Sequence, residues 1–246
     1  YQLEKIKFDV DDMLGDPLKK KKLSDITRGR ILPSVPFTED FQAFELDQTD
    51  ADQAKWAYPP LPWIGARFKW EVREDPTDAS NQVLAKTLDR VLFMRSMIFF
   101  GHPDAEGYTI QTDVMSDGNR RQQSTVGVIC QRYIICLDGN AQQLRVYSNI
   151  ENFNRARDLG QVVSRVGFPW KVGKWYTLKA TVVPGDGEGG VVKAKAWPRG
   201  EEEPTDWTIQ VPVPLVHRNG SPGIFGLSPQ SNFKVYVDNI KVDARD

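Results

Sequence analysis

The chain has 246 residues, with 32 Lys and Arg, 33 Asp and Glu, and a formal net charge of -1. A nearly neutral chain has no overall field that attracts nucleic acid or an anionic membrane, so both classes of partner are disfavoured. No apolar run approaches the roughly 18 residues of a membrane-spanning helix, and the first residues do not form a signal peptide. Because the sequence begins at Tyr1 rather than Met, we expect a processed product or a piece of a larger protein.

The first 35 residues differ in composition from the rest of the chain. They carry a run of four lysines, Lys19 to Lys22, and lead into a segment punctuated by Pro33 and Pro36. The lysine run fits a solvated linker, with an anionic partner as the alternative. The prolines favour an extended connector. We predict that residues 1–35 are a linker or the tail of a preceding domain, and that residues 36–246 form one folded domain.

From Phe37 onward, the sequence consists of short alternating segments typical of β-strands. These segments include FTEDFQAFEL, WIGARFKWEVRED, QVLAKTL, YTIQTDVM, STVGVICQ, RYIICLDG, QLRVYS, KWYTLKATVV, VVKAKAW and WTIQVPV. Turn-forming sequences such as SDGN and PGDGEGG separate them. Ten or more short strands with little helical periodicity predict an all-β fold, an antiparallel two-sheet jelly-roll sandwich.

Two neighbouring strands show the alternation most clearly. The residues predicted to face the core are Tyr176, Leu178, Ala180 and Val182 in the first strand, and Val192, Ala194 and Ala196 in the second. Trp70 and Trp175 lie within strands and are also predicted to pack in the core. The prolines of WTIQVPV favour an edge strand.

The last predicted strand contains a change of phase. Val235 and Val237 alternate with polar neighbours, but the next apolar residues, Ile240 and Val242, occupy even positions. Such a change requires one extra residue, so we predict a β-bulge at Asp238-Asn239. A bulge redirects a side chain, and here that side chain is an acid.

The two cysteines, Cys130 and Cys136, leave the redox compartment open. On one straight strand they would lie about 20 Å apart, too far for a disulfide. If the chain reverses around Tyr133, they could face each other across a hairpin. The alternative that we favour is two small buried hydrophobic residues.

Two sets of four segments each carry a resemblance to known families. The run KWYTLKATVV, a turn and VVKAKAWP, followed by GIFGL and VYVDNIKV, resembles the concanavalin A-like jelly rolls, including laminin G-like and sugar-binding modules, over about residues 37 to 244. PFTEDFQAFEL, PPLPWIGARFKWEV, DGNRRQQSTVGVICQRY and AKAWPRGEEEPTDW are together similar to the domain that follows a PQQ-like β-propeller in secreted bacterial proteins. This resemblance implies a bacterial, extracytoplasmic protein with a propeller domain in the same polypeptide. It implies no quinone cofactor.

The concanavalin A-like resemblance also implies a structural calcium ion between the first strand and the last. Calcium takes six to eight oxygen ligands. Glu39 and Asp40 near the first strand and Asp238 at the bulge are the predicted ligands, because first and last strands often pair in these folds. The alternative is that Asp238 only accepts hydrogen bonds from backbone groups at the bulge.

Aromatic and polar loop residues are the candidates for ligand binding. Among the seven tryptophans, Trp63 in PPLPW and Trp170 in FPWKVG have the best chance of exposure and are the candidates for stacking on a sugar ring, although core packing is favoured for any one tryptophan. Asn119, Arg120 and Arg121 form a turn that can bind carboxylates or hydroxyl groups, or can be a solvated hairpin turn. Tyr133 is a further candidate on the same surface.

The sequence gives little support for catalysis. The E-x-D-x-E strand of laminarinase-type jelly rolls is absent, and neither His102 nor His217 sits in a metal-binding spacing. We therefore predict no catalytic residue and a non-catalytic, extracytoplasmic module that recognises a glycan or cell-surface polymer. Two alternatives remain: a glycoside-active enzyme related to the 3-keto-glycoside hydrolases, and a structural domain that docks on a β-propeller.

Overall fold

The structure is a computed structural model that describes residues 33–50, 53–60, 62–66, 69–86, 95–148, 161–228 and 234–245. All of these residues belong to the unit Pro33–Asp246. Because residues 1–32 of the predicted linker lie outside the described residues, the predicted domain division stays a prediction. A search of the described residues finds no helix long and apolar enough to cross a bilayer.

The described residues form two antiparallel β-sheets. The ten-stranded sheet contains β1 (Phe37–Glu39), β2 (Gln48–Thr49), β3 (Lys55–Ala57), β4 (Trp70–Asp75), β5 (Asp78–Lys86), β7 (Tyr108–Ser116), β12 (Tyr176–Pro184), β13 (Gly190–Pro198), β14 (Ile209–Val213) and β16 (Val235–Ala244). The six-stranded sheet contains β6 (Arg95–Phe99), β8 (Thr125–Cys130), β9 (Tyr133–Asp138), β10 (Gln143–Ser148), β11 (Gln161–Gly167) and β15 (Gly223–Leu227). This arrangement confirms the predicted all-β, two-sheet jelly-roll sandwich.

The two sheets enclose one main apolar core. The strand order is β14-β13-β12-β7-β16-β5-β4-β3-β2 in the larger sheet, with β1 paired to β16, and β11-β10-β9-β8-β15-β6 in the smaller sheet. The predicted inward residues of β12 and β13 are all buried in it. Each large aliphatic side chain removed from water in this way, such as Leu178, stabilises the fold by about 1.5–3 kcal/mol. β14 is an edge strand, as its prolines predict.

β16 lies in the middle of the larger sheet and changes neighbour halfway along. It pairs with β7 on one side, while on the other its Tyr236 and Val237 pair with β5 and its second half pairs with β1. The register with β7 shifts between Asp238 and Lys241, which confirms the predicted bulge. Asn239 has a φ of 48°, a left-handed conformation that Asn tolerates. Asp238 lies on the outer face of the sheet, as alternation from the core residue Val237 requires, and there it pairs with Arg199.

The first strand is shorter than the segment FTEDFQAFEL predicts. β1 ends at Glu39, because Phe41 adopts a φ of 62° that no strand can continue. Glu39 Oε1 accepts a hydrogen bond from the Phe41 backbone N at 2.8 Å, which stabilises this departure. The pairing of β1 with β16 confirms that the first and last strands are neighbours.

The two cysteines lie on opposite faces of the smaller sheet. The chain reverses at Gln131 and Arg132, which have φ values of 45° and 72° and join β8 to β9 in a two-residue turn. Cys130 packs in the core between the sheets, whereas Cys136 packs with Ile129 on the other face. Both thiols are free and buried, so the interpretation as two small hydrophobic residues is confirmed. Burial raises the pKa of the Cys130 thiol to about 12.

Candidate functional site

An open groove of about 740 Å³ lies on the outer face of the larger sheet. It forms where the β4–β5 hairpin, the loop before β12 and the end of β13 meet. Its main polar and aromatic side chains are Asp75, Asn81, Lys171, Lys174, Trp175 and Arg199. These residues are far apart in sequence and are brought together only by the order of the strands.

A pair of buried acids holds Arg199 in this groove. Asp113 on β7 and Asp238 on β16 lie directly opposite each other and are 7% and 1% exposed. Arg199 contacts both, with its Nε 3.1 Å from Asp113 Oδ2 and its Nη2 3.2 Å from Asp238 Oδ2. Like charges on directly opposed strand positions repel, so the guanidinium offsets a repulsion that the sheet itself creates. The two acids therefore fix the position of Arg199.

The remaining donors around the two carboxylates come from the sheet and the bulge. Thr177 Oγ1 donates to Asp113 Oδ1 at 2.6 Å, and Asn239 Nδ2 donates to Asp113 Oδ2 at 2.9 Å. Asn81 Nδ2 donates to Asp238 Oδ2 at 3.0 Å, and the Asn239 backbone N donates to Asp238 Oδ1 at 2.8 Å. Desolvation by burial raises the pKa of the Asp238 carboxyl, although these donors and Arg199 act in the opposite direction. Every carboxylate oxygen of the pair thus has a partner.

Trp175 is held between Arg199 and the β4–β5 hairpin. The Arg199 guanidinium lies 5.3 Å from the centre of the indole ring, within the range of a cation–π contact. Trp175 Nε1 donates to Asp75 Oδ2 at 3.1 Å and to Thr77 Oγ1 at 3.2 Å. Asp75 is in turn oriented by Thr77, whose backbone N donates to its Oδ1 at 2.8 Å. Asp followed by Pro76 is typical of a tight turn, which explains why the local sequence builds this support.

Two lysines at the mouth of the groove are open to a ligand. Lys171 and Lys174 are exposed, and their ammonium groups have no hydrogen bond or ion pair among the described residues. A half-buried aromatic ring beside fixed polar groups and free donors is a common form of small-molecule site. The groove can therefore bind a polar ligand of ring size through its hydroxyl or carboxylate oxygens.

Trp63 and Trp170 are buried, so their choice as ligand-binding residues is wrong and the core packing favoured for any one tryptophan is what the structure has. Trp63 is 5% exposed and packs against Phe100, with their ring centroids 5.0 Å apart. Trp170 is 3% exposed, and its Nε1 donates to the Asp138 carbonyl oxygen at 3.1 Å. A large aromatic ring gains most from burial when its polar atom also finds a partner inside. Neither indole has a free face on which a sugar ring could stack.

Asn119, Arg120 and Arg121 form an exposed turn between β7 and β8. Asn119 Oδ1 accepts hydrogen bonds from the backbone N of Arg121 at 2.8 Å and of Gln122 at 3.0 Å, so this side chain stabilises its own turn. The turn adjoins the loop before β12 but does not line the groove. A role for these three residues in ligand binding stays a prediction.

Tyr133 does not lie on the same surface as that turn. It is buried at the start of β9, and its hydroxyl accepts a hydrogen bond from the His217 backbone N at 3.2 Å. It lines a different hollow of about 570 Å³ together with Leu215 and its neighbours. The predicted ligand-binding residues are therefore not brought together.

The predicted calcium ligands do not converge either. Glu39 and Asp40 line a second hollow of about 390 Å³ with Lys241, whereas the Asp238 carboxylate is bound to Arg199. No group of three or more His, Cys, Asp or Glu side chains suited to a metal ion occurs within the described ranges. A guanidinium already neutralises Asp238, so these three residues do not fit a calcium site. Calcium binding by this protein stays an untested prediction.

The sequence interpretation missed the residues that form the groove, although the strand alternation contains their signal. If Tyr176 faces the core, then Trp175 and Thr177 must face outward. If Ala196 faces the core, then Trp197 and Arg199 must also face outward. Trp175 is in fact only partly buried, which corrects its assignment to the core.

Comparisons with known proteins identify the fold. No protein-family model matches the sequence, and no curated protein matches it. Carbohydrate-binding module CBM66 from Bacillus subtilis aligns with a TM-score of 0.50 and 15% identity, over 74% of this chain and 94% of that one. The potassium-bound carbohydrate recognition domain of Emp46p aligns with a TM-score of 0.51 and 13% identity, over 89% of this chain and 98% of that one. The receptor-binding domain of botulinum neurotoxin type G aligns with a TM-score of 0.50 and 9% identity, over 86% of this chain and 48% of that one.

At such low identities these likenesses show the fold alone. Together with the two antiparallel sheets, they show a jelly-roll-type β-sandwich fold.

Proposed function

We propose that this domain binds carbohydrate in the groove formed around Trp175 and Arg199. One observation carries the proposal: the buried pair of Asp113 and Asp238 holds Arg199 against the Trp175 ring, while Asp75 holds the other side of that indole. Polar side chains that are already fixed lose little conformational entropy on binding. The charged network therefore prepares a recognition surface in the free protein.

The groove matches the chemistry of a sugar ring. Sugars carry hydroxyl groups that both donate and accept hydrogen bonds, and C–H faces that pack on the faces of aromatic rings. Asn81 and Asp75 offer fixed amide and carboxylate groups, while Lys171 and Lys174 offer free ammonium donors. The names of two proteins with this fold, a carbohydrate-binding module and a carbohydrate recognition domain, support the proposal.

Binding fits the groove better than glycoside hydrolysis does. Most glycosidases need two carboxyl groups that reach the scissile bond, one as acid and one as base or nucleophile. Asp113 and Asp238 are buried and bonded to Arg199 and Asn239. Of the two acids that line the groove, Asp75 accepts hydrogen bonds from Thr77 and Trp175, and Asp78 accepts them from Ser80. Their hydrogen-bonding capacity is used to build the groove.

Affinity electrophoresis against a polysaccharide panel tests the proposal. The panel contains β-glucan, xylan, mannan, fructan and alginate, and wild-type protein is expected to be retarded by at least one of them. Lys174→Ala should weaken that retardation about fivefold, the equivalent of about 1 kcal/mol for one hydrogen bond. Lys55→Ala, an exposed lysine on β3 outside the groove, is the matched control.

Two results would overturn the proposal. The first is the absence of retardation by any polysaccharide in the panel. The second is retardation that Lys174→Ala and Lys55→Ala weaken equally, because the binding would then not depend on the groove.

The proposed function implies a location outside the cytoplasm, where structural polysaccharides and surface glycans occur. The bacterial origin, the β-propeller in the same polypeptide and the docking alternative stay predictions from the sequence.

A further inference from the structure

The second hollow adjoins the groove on the same outer face of the larger sheet. Its lining includes Gln111, Asn239 and Lys241. Gln111 lies two residues before Asp113 on β7, a distance of about 7 Å along the strand. Lys241 lies opposite Gln111 on β16, in the same way that Asp238 lies opposite Asp113. The second hollow therefore lies one step along the β7–β16 pair from the acids that hold Arg199 in the groove.

The buried acids form a common boundary of the two hollows. Asn239, in the second hollow, donates through Nδ2 to Asp113 Oδ2 at 2.9 Å and to Asp238 Oδ2 at 3.3 Å. Arg199, in the groove, contacts the same two oxygens. A ligand that lies across this boundary meets fixed polar groups on both sides of it.

The second hollow has unused hydrogen-bonding capacity. The Gln111 side chain, which offers two donors and an acceptor, has no partner among the described residues. Glu39 Oε1 accepts a hydrogen bond from the Phe41 backbone N, and no side chain among the described residues donates to this carboxylate.

We infer that the second hollow is a second sub-site, and that the surface binds a chain of linked sugar units rather than a single terminal sugar. This inference rests on the proposed carbohydrate binding in the groove. The chain crosses the boundary at Asp113 and Asp238, with one unit beside Trp175 and a later unit beside Gln111.

Isothermal titration with oligosaccharides of increasing length tests this inference. The probes are the monosaccharide, the disaccharide and successively longer gluco-, xylo-, manno- and fructo-oligosaccharides. Long oligomers of the class that binds should bind about 25-fold more tightly than short ones, because each of two additional hydrogen bonds supplies about fivefold. Gln111→Ala should bring the ratio of long-chain to short-chain affinity close to one.

Two further variants keep the test specific. Lys241→Ala, at a side chain that is largely exposed, should reduce the same ratio and does not threaten the core. Gln210→Ala, at an exposed position on the edge strand β14, is the matched control and should leave the ratio unchanged.

The outcomes separate this inference from the proposed function. If short oligomers bind and longer ones gain nothing, the second sub-site is wrong while the groove stands. A gain with length that persists in both Gln111→Ala and Lys241→Ala also contradicts the second sub-site. If no oligomer of any length binds, the proposed function itself fails.

Discussion

Replacing Arg199 with alanine tests whether the guanidinium holds the acid pair together. In the wild type, Arg199 neutralises Asp113 and Asp238, which lie opposite each other and are both buried. The Arg199→Ala variant leaves two like charges on neighbouring strands with only neutral donors around them. We expect the free energy of unfolding to fall. Without Arg199, the two acids lose their attraction to the guanidinium, and their mutual repulsion is no longer offset.

The structure limits the size of this loss. Removing one partner of a fully buried ion pair costs about 3–5 kcal/mol, since the other charge is left without compensation. The Arg199 side chain is 34% exposed, so water can replace it and solvent already screens part of the interaction. We therefore discount the loss to about 2 kcal/mol in the free energy of unfolding near neutral pH.

Urea denaturation of the two proteins at several pH values measures this loss. Burial raises the pKa of Asp238 in the folded wild type, and removal of Arg199 should raise it further. A group with a raised folded pKa takes up its proton first in the folded state, so the variant gains stability relative to the wild type as the pH falls. The deficit should shrink from neutral pH down toward the unfolded aspartate pKa of about 3.9.

Arg120→Ala is the control for this experiment, because Arg120 is exposed in a turn. Its effect should stay within about 0.5 kcal/mol at every pH. Equal stability of Arg199→Ala and wild type at neutral pH would refute the reasoning. A deficit that does not change with pH would show that the loss has a cause other than the acid pair.

Three further predictions follow from buried groups. Trp63→Ala should lower the free energy of unfolding by about 3–5 kcal/mol in urea denaturation and leave glycan affinity unchanged. A loss of glycan affinity in the folded variant would contradict this prediction. The thiols of Cys130 and Cys136 should react with a disulfide reagent only after unfolding, since burial raises their pKa; rapid reaction of the folded protein would contradict this. Excess calcium chloride should leave the Tm unchanged, because Arg199 already pairs with Asp238; a rise would support the predicted calcium site.

The sequence predicts the fold well because alternation is a local property. The period of two in β12 and β13 identifies the residues that face the core, and the change of phase after Val237 identifies the bulge at Asp238-Asn239. Both features depend on the order of residues within a single strand. The partners of that strand do not have to be known.

Loop residues are predicted less well, because their burial depends on distant segments. Trp63 and Trp170 occur in Pro-containing loops, which usually lie at the surface. Trp63 is nevertheless covered by Phe37, Phe41 and Phe100, and no local pattern records these contacts. The choice of Trp63 as an exposed loop residue fails because of these long-range contacts.

The groove depends on tertiary structure to a still greater degree. Asp75, Asp113, Trp175, Arg199 and Asp238 come from five separate segments, and only the strand order places them together. Alternation shows that Trp175 and Arg199 face outward. The pairing of β12 with β13 brings these two residues together. It does not bring them to Asp113 and Asp238, because that requires the pairing of β7 with both β12 and β16.

The indole N–H signals in the NMR spectrum of isotope-labelled protein test the central proposal most directly. The chain has seven tryptophans, and the Trp175 indole N–H is the one that donates to Asp75 in the groove. During titration with a polysaccharide that binds, the Trp175 signal should shift while those of the buried Trp63 and Trp170 stay in place. A Trp175 signal that does not move while the glycan binds would contradict a site in this groove.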